Sequence, residues 1–250
     1  MSTEPALMAD GLTVNFGGFK AVDTFSMTVD DGELRVVLGP NGAGKTTLMD
    51  LISGKTHSSA GAVYLYGKEV TNLPEHRIAL AGVGRKFQIP SVFRDLSVDE
   101  NLRVACSRFR GVWKNLRLGM TPEESRQREA VIETTDLSTI LSRRAGDLSH
   151  GQMQWLELGM LMAQGSKLLL LDEPTAGMTQ GETQRTAEII NRMRGQYTML
   201  VVEHDLSFVR AIAERVTVMH MGQFLAQGTM AEIEANQAVR DAYLGSAGAA

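Results

Sequence analysis

One cysteine, Cys106, stands in 250 residues. A single thiol excludes an internal disulfide, and with it the small stapled secreted domain; it fits a reducing compartment or no redox role at all. Taken by itself Cys106 reads as a small buried apolar residue. Neither sign of charge dominates: 25 basic against 29 acidic residues leave a net charge of −4. That excludes the concentrated positive field a nucleic-acid backbone demands, so no nucleic-acid partner is expected. No apolar run approaches the ~20 residues needed to cross a bilayer. The nearest, Leu168–Leu171 and Tyr197–Val202, have the length of strands. Met1–Asp10 carries two acids and no base, which does not fit a signal peptide. A cytoplasmic chain is expected, and docking on a membrane protein stays open. Apolar residues at 43% and charged residues at 22% describe an ordered globular chain with a sizeable core.

The first segment reads as β. Leu12, Val14 and Phe16 alternate, Gly17-Gly18 turn, and Phe25, Met27 and Val29 alternate again. Glu33–Leu38 is a nearly continuous apolar run, as expected of a buried parallel strand. A glycine-rich loop follows, then a helical pattern from Thr46 to about Ser53 and a strand over Gly61–Tyr66. From about Ser91 to Asp147 the texture is helical. Ser97-Val98-Asp99-Glu100 forms a capping box, and Thr121-Pro122-Glu123-Glu124 starts a second helix with proline in its first turn. Strand and helix then alternate: strand Leu168–Leu171, helix Gly181–Arg194, strand Met199–Val202, helix Leu206–Arg215, strand Val216–Met219. Thr229–Leu244 reads as one helix, with the small residues after it fraying.

The strongest chemical signal is Gly39-Pro40-Asn41-Gly42-Ala43-Gly44-Lys45-Thr46, a match to G-x-x-x-x-G-K-[ST] with a strand before it and a helix after it. Its glycines let successive backbone N–H groups turn inward around phosphate oxygens, and the helix N-terminus favours an anion. Lys45 would bridge the β- and γ-phosphates, and the Thr46 hydroxyl would ligate Mg²⁺. The second signal is Leu168–Leu171 followed by Asp172-Glu173, which puts two carboxylates at the carboxyl edge of a parallel sheet. Asp172 would hold Mg²⁺ directly or through water; Glu173 would orient or deprotonate the attacking water. The third is Leu148-Ser149-His150-Gly151-Gln152. Locally it is a capping box opening the helix Met153–Ala163, and Gln152 on that view is only an N3 cap. With Ser149 and Gly151 at a helix N-terminus it also makes a second phosphate-binding end. Two such ends with one strand-end acid pair suggest a nucleotide shared between two chains. Gln88 sits where the helical segment begins, and His204 follows the strand Met199–Val202, at the same sheet edge as Glu173 and in reach of a γ-phosphate.

The order phosphate loop, Gln88, Leu148–Gln152, Asp172-Glu173 and His204 resembles the ATP-binding subunit of ABC transporters across nearly the whole chain. The resemblance implies an α/β fold: a P-loop NTPase, RecA-like core with an N-terminal antiparallel β subdomain and an inserted α-helical subdomain. Residues 1–90 and 148–250 would make the core and 91–147 the insert. It implies ATP and Mg²⁺ as cofactors, with Phe16 stacked on adenine. Gly39, Pro40, Asn41, Gly42, Ala43, Gly44, Lys45, Thr46, Thr47, Gln88, Ser149, Gly151 and Gln152 would contact nucleotide. Thr46, Gln88 and Asp172 would lie at the metal, and Lys45, Glu173 and His204 would act in hydrolysis. Two subunits would pack head to tail, so that Ser149 and Gly151 of one touch the γ-phosphate held by Lys45 of the other. The second subunit would be a copy or a paralogue. Transmembrane permeases would dock at the helical insert, on the inner face of the cell membrane, and an extracytoplasmic solute-binding protein would supply the cargo. Gly82–Glu100, Ala176–Thr179, Val202–Asp205 and Ala242–Gly245 resemble the importer group for branched-chain amino acids and for urea and short-chain amides. Ser53–Thr56 and Leu148–Trp155 look closer to the urea branch. Two departures stand out. His150 replaces the usual glycine and would add a cation or a bulky wall near the phosphate. Thr179 replaces the frequent aspartate, so an Asp-based link between the two sites is not carried over.

Two other classes are weighed against the transport motor. A soluble ABC ATPase uncoupled from transport predicts large insertions, fused cassettes or a basic face, none of which is visible. A non-catalytic nucleotide switch would lack Lys45 or Glu173, and both are present.

Overall fold

The computed structural model describes residues 4–85, 92–107 and 120–247, the last four of these by backbone alone. In chain order the elements are β1 (Leu7–Phe16), β2 (Phe19–Val29), β3 (Leu34–Leu38), α1 (Lys45–Ile52), β4 (Ala60–Leu65), β5 (Lys68–Glu69), α2 (Glu75–Leu80) and β6 (Val83–Arg85). Then come α3 (Val98–Cys106), α4 (Pro122–Thr135), two 3-10 turns (Ser138–Ile140 and Ala145–Asp147), α5 (His150–Ala163), β7 (Leu168–Asp172) and α6 (Gln180–Met193). The chain closes with β8 (Thr198–Glu203), α7 (Leu206–Ile212), β9 (Arg215–His220), β10 (Gln223–Gly228), α8 (Met230–Ala235) and α9 (Gln237–Ala247).

Two compact units emerge. The first takes Met1–Arg85, Lys167–Pro174 and Arg194–Ala250; the second takes Lys86–Ser166 and Thr175–Met193. In the first unit an antiparallel sheet runs β2-β1-β4-β5, and a six-stranded sheet runs β10-β9-β3-β8-β7-β6. The alternation of β1 buries Leu7, Ala9, Leu12 and Val14 on one face, as period two requires. β3, β8 and β7 pair in parallel and are buried on both faces, which is why their sequences run apolar without alternation. α1 lies in a single core with both sheets: its Leu48, Met49 and Ile52 join Leu12 and Phe25 of one sheet and Val37, Leu170 and Leu200 of the other. Parallel register aligns the carboxyl ends. Leu38 pairs with Glu203 and Asp172 with Val202, so the loop after β3 and the acids after β7 leave the sheet on one edge. Arg35 is the one guanidinium buried among the described residues of β3. It is matched by Glu33 at 2.7 Å and by the side chains of Thr217 at 3.0 Å and Gln227 at 2.6 Å.

The second unit is helical. Gly159 of α5 leaves so little room that a Cβ there would lie 3.0 Å from Val131 of α4 and 3.4 Å from Leu102 of α3, which lets the three helices close. The Trp155 indole N–H donates to Thr186 Oγ1 at 3.0 Å, joining α5 to α6. The helical unit takes in α5 and α6 together with α3 and α4, because these four helices pack on one another. The expected capping boxes at Ser97 and Ser149 are formed, the expected helix start at Thr121 carries one as well, and Cys106 is buried.

Several boundaries differ from expectation. α7 ends at Ile212, and Arg215 already belongs to β9. The expected helix Thr229–Leu244 is two helices: Asn236 is extended, and its side chain accepts from the Val239 N–H at 3.3 Å. α9 then runs on to Ala247, past the expected point of fraying. β5, α2, β6 and β10 were not expected. Asp205 caps α7, accepting from Ser207 Oγ at 2.6 Å and from the Ser207 and Phe208 N–H groups at 2.8 and 3.3 Å. The Ser207 hydroxyl first, then the two amides, hold its carboxyl below the usual range. A depressed folded pKa means the cap stabilises above the unfolded value and fades as pH falls through the folded one. Asp205→Ala should therefore cost about 1 kcal/mol of unfolding free energy at pH 7. The gap from the parent should narrow in urea titrations taken below the ordinary carboxylate range; a gap constant with pH would refute the cap.

Candidate functional site

The loop between β3 and α1 is shaped by close backbone packing. A Cβ on Gly39 would collide with the Met219 carbonyl oxygen, and one on Gly44 with the Ala21 carbonyl oxygen. Gly42 and Gly44 have φ of +79° and +100°, which side-chain-bearing residues rarely adopt. The Ala43 carbonyl accepts from the Gly222 N–H at 2.9 Å, tying the loop to the β9–β10 turn. Lys45 opens α1 with only 6% of its surface exposed. Its ammonium donates to the carbonyls of Gly39 at 2.7 Å and Pro40 at 3.1 Å, which fixes the charge inside the mouth of the loop. Burial pulls its pKa below the usual value, while Glu173, Asp172 and Glu203 pull it back up. Thr46 is exposed and Thr47 half-buried in the first turn.

Asp172 ends β7 and Glu173 follows it. Glu173 has φ +44°, strained for a residue with a side chain, and its N–H donates to the Val202 carbonyl at 2.9 Å. That bend separates the two carboxylates. Asp172 turns in, with only 4% of its side chain exposed; Oδ2 accepts no hydrogen bond and lies 3.7 Å from Arg85 Nη2. Burial pushes its carboxyl up, Arg85 draws it down, and Glu173 and Asp50 push it up again. Glu173 turns out and meets His204 Nδ1 at 3.3 Å. His204 leaves β8 just after Glu203, which is buried.

At the hairpin tip, Phe16 and Phe19 are cross-strand partners, 53% and 66% exposed. The strand carrying Phe19 reaches Ala21, the residue against Gly44, so the aromatic pair extends from the flank of the loop. The structure thus brings Lys45, Asp172, Glu173 and His204 to one sheet edge. Gln88 lies outside the described residues. Ser149, Gly151 and Gln152 open α5 in the helical unit. Ser149 Oγ accepts from the Gln152 N–H at 3.2 Å, while Gln152 Oε1 accepts from the Ser149 N–H at 3.1 Å, so the glutamine is turned back onto the helix end. His150 is turned away from that end: Nε2 lies 2.9 Å from the Ala176 carbonyl and 2.7 Å from Gln154 Nε2. It is a brace for the loop after β7, and the expected cation or wall beside a phosphate is corrected accordingly.

Three participants escaped the sequence reading. Arg85 Nη1 donates to Ser53 Oγ at 2.7 Å, and Nη2 pairs with Asp50 at 2.5 Å and lies 3.7 Å from Asp172 Oδ2. Glu203 adds a buried acid. Glu182, in the first turn of α6, bonds to Ser149. Arg85 and Glu203 lie inside Gly82–Glu100 and Val202–Asp205, segments that carry the resemblance without marking either residue, and Glu182 lies in no motif; the fold brings each to its partners.

A buried lysine in a glycine loop opening a helix, with two divergent acids at a strand end on the same sheet edge, defines a P-loop nucleotide hydrolase. The family description "ABC transporter" matches residues 22–176, and "Branched-chain amino acid ATP-binding cassette transporter" matches residues 225–249. The high-affinity branched-chain amino acid transport ATP-binding protein BraF of Pseudomonas aeruginosa is 36% identical over 98% of this chain and 100% of its own length. LivG of Salmonella typhimurium, with the same description, is 35% identical over the same shares. The ADP conformation of MJ1267, an ATP-binding cassette of an ABC transporter, superposes with a TM-score of 0.83 at 29% identity, covering 97% of this chain and 100% of that one. The chain belongs to the ABC transporter family. It is an ATP-binding subunit with ABC-type ATPase activity. Among the described residues no helix is long and apolar enough to cross a membrane.

Proposed function

We propose that this subunit drives an importer by cleaving ATP held between its own phosphate loop and the Ser149 end of a second ATP-binding subunit, a copy or a paralogue. Permeases form the membrane part, a solute-binding protein delivers the cargo, and this chain sits peripherally on the cytoplasmic face. The observation that carries the reading is the single sheet edge at which Lys45, Asp172, Glu173 and His204 meet. In the reaction a water oxygen bonds to the γ-phosphorus, the bond to the bridging oxygen breaks, and ADP leaves with the electron pair. Glu173 orients that water and takes its proton; His204, 3.3 Å from Glu173, holds the carboxylate and reaches toward the phosphate. Lys45 places a fixed charge where negative charge develops, at no cost of reorganisation. Loop amides from Gly39 to Thr47 bind the phosphates, and Ser149, Gly151 and Gln152 belong to the covering end.

Mg²⁺ fits the donors present. The Thr46 hydroxyl is free to solvent, and Asp172 offers a buried oxygen that accepts no hydrogen bond; with Gln88 these would hold the ion, leaving positions for phosphate and water. When bound, the ion supplies charge neutralisation across the β- and γ-phosphates. Phe16 supports the base: Phe16→Ala should weaken ATP binding by about tenfold in calorimetry, the scale of one lost stack. Affinity equal to the parent's would remove Phe16 from the site.

Branched-chain amino acids are the proposed cargo, after the names of BraF and LivG. Urea or a short-chain amide is the second reading, favoured by Ser53–Thr56 and Leu148–Trp155. Uptake of labelled leucine and of labelled urea in cells lacking this chain separates them: loss of leucine uptake supports the first, loss of urea uptake the second. Unchanged uptake of both contradicts the import reading.

A further inference from the structure

Glu182 carries a role that neither the motifs nor the relatives assign. Its carboxylate accepts from Ser149 Oγ at 2.8 Å through Oε1, and from the Thr179 N–H and Oγ1, each at 3.0 Å, through Oε2. It approaches the first turn of α5 so closely that a Cβ on Gly151 would lie 2.7 Å from Glu182 Cδ and Oε1. The acid therefore occupies the place where the helix end presents the Ser149 hydroxyl and the Gly151 amide, and Gly151 is what lets it in. Those are the donors an incoming phosphate would use. The Thr179 amide first, then the Ser149 hydroxyl, hold the Glu182 carboxyl below the usual range, and the Gly151 amide adds to them; the group is ionised at neutral pH.

We propose that Glu182 is a positioning residue for the reaction: its carboxylate fills the anion seat of the Ser149 end in the lone subunit and must give up Ser149 before that end engages the γ-phosphate of a facing chain. This rests on the shared-site reading above. Two consequences follow from the geometry. Ser149 is kept aimed and its helix end kept neutralised until a better anion arrives. And the same carboxylate holds Thr179 through its other oxygen, so a movement of Glu182 away from Ser149 is transmitted to the loop after β7. That loop is also braced by His150 at Ala176. The Thr179 hydroxyl adds a side-chain donor to Glu182 that the frequent aspartate would lack, since an ionised carboxylate has no proton to donate. With anion competing against anion, the charge on Glu182 sets how much ATP is needed to close the dimer.

Glu182→Gln tests the charge alone, because glutamine still completes the capping box with Thr179 and keeps the start of α6. The placement is read first by chemistry. Ser149→Cys introduces a thiol at the seat, and the one native thiol, Cys106, is buried and silent. A neighbouring carboxylate disfavours the thiolate. Alkylation by iodoacetamide should be several-fold faster in Ser149→Cys/Glu182→Gln than in Ser149→Cys, with its pH profile displaced to lower pH. Equal rates and equal profiles overturn the proposal, and a purely structural role for Glu182 would not move either. The consequence is read in the full chain carrying Glu173→Gln, by the ATP concentration at which half of it dimerises in light scattering. Adding Glu182→Gln should lower that concentration by at least about fivefold. A dimer formed at the same concentration with and without Glu182→Gln overturns the placeholder alone. No ATP-dependent dimer in either protein, alone or with the paralogous ATP-binding subunit added, overturns the shared-site reading beneath it, whatever the thiol reports.

Discussion

Glu173→Gln should bind ATP as the parent does, lose hydrolysis by about 10²–10⁴-fold, and accumulate as an ATP-held dimer. The amide has the carboxylate's size, so the turned-out position created by φ +44° is kept, and the bond from the Glu173 N–H to Val202 is untouched. What disappears is the basic oxygen at the attacking water, which is also the carboxylate that meets His204 Nδ1 at 3.3 Å. Removing a proton acceptor acts on the transition state and leaves the ground-state complex alone, so kcat falls with little change in nucleotide affinity. Steady-state phosphate release and ATP titration, run side by side, separate the two quantities. Full turnover in this variant would take Glu173 out of its role.

Lys45→Ala should weaken nucleotide binding by about a hundredfold in calorimetry, close to the loss of one or two charge-assisted hydrogen bonds. Two features make the loss large. The ammonium is buried, so solvent does not screen it or replace it. It also faces Asp172, Glu173 and Glu203, so removing it leaves phosphate to meet three acids, offset by Arg85 beside Asp172. Lys45→Arg should not rescue binding, since a forked guanidinium does not fit a seat defined by the Gly39 and Pro40 carbonyls. Unchanged affinity in Lys45→Ala would remove phosphate from the loop.

Much of this was legible because local rules and the fold agree. The glycine loop lies between a run buried on both faces and an amphipathic helix, and those periods say strand and helix without help from elsewhere. Ser97, Thr121 and Ser149 announce helix starts by residue type and spacing alone. The failures have equally physical causes. β6 is three residues beside Gly82, too short for alternation to register. β10 exists by pairing with β9, and Gln223–Gly228 is mixed in polarity. The break at Asn236 follows a capping rule that an otherwise helical composition concealed. Arg85 and Glu182 could not be read, because each becomes interesting only through a partner brought near by folding: Asp50 and Asp172 for the one, Ser149 for the other. His150 was placed on the right helix end but facing the wrong way, since sequence position does not say which rotamer the Ala176 carbonyl will capture.

The central claim is that ATP is cut by two chains together, and complementation tests it most directly. Lys45→Ala lacks a working phosphate loop but keeps its Ser149 end; Ser149→Ala has the opposite defect. Each protein alone should be nearly inactive. Mixed in equal amounts with ATP, they should recover about a quarter of the parent's turnover, one intact composite site in half of the dimers. A mixture no more active than the average of its two components, with the same result when the two defects are split between this chain and its paralogous ATP-binding subunit, would contradict the account.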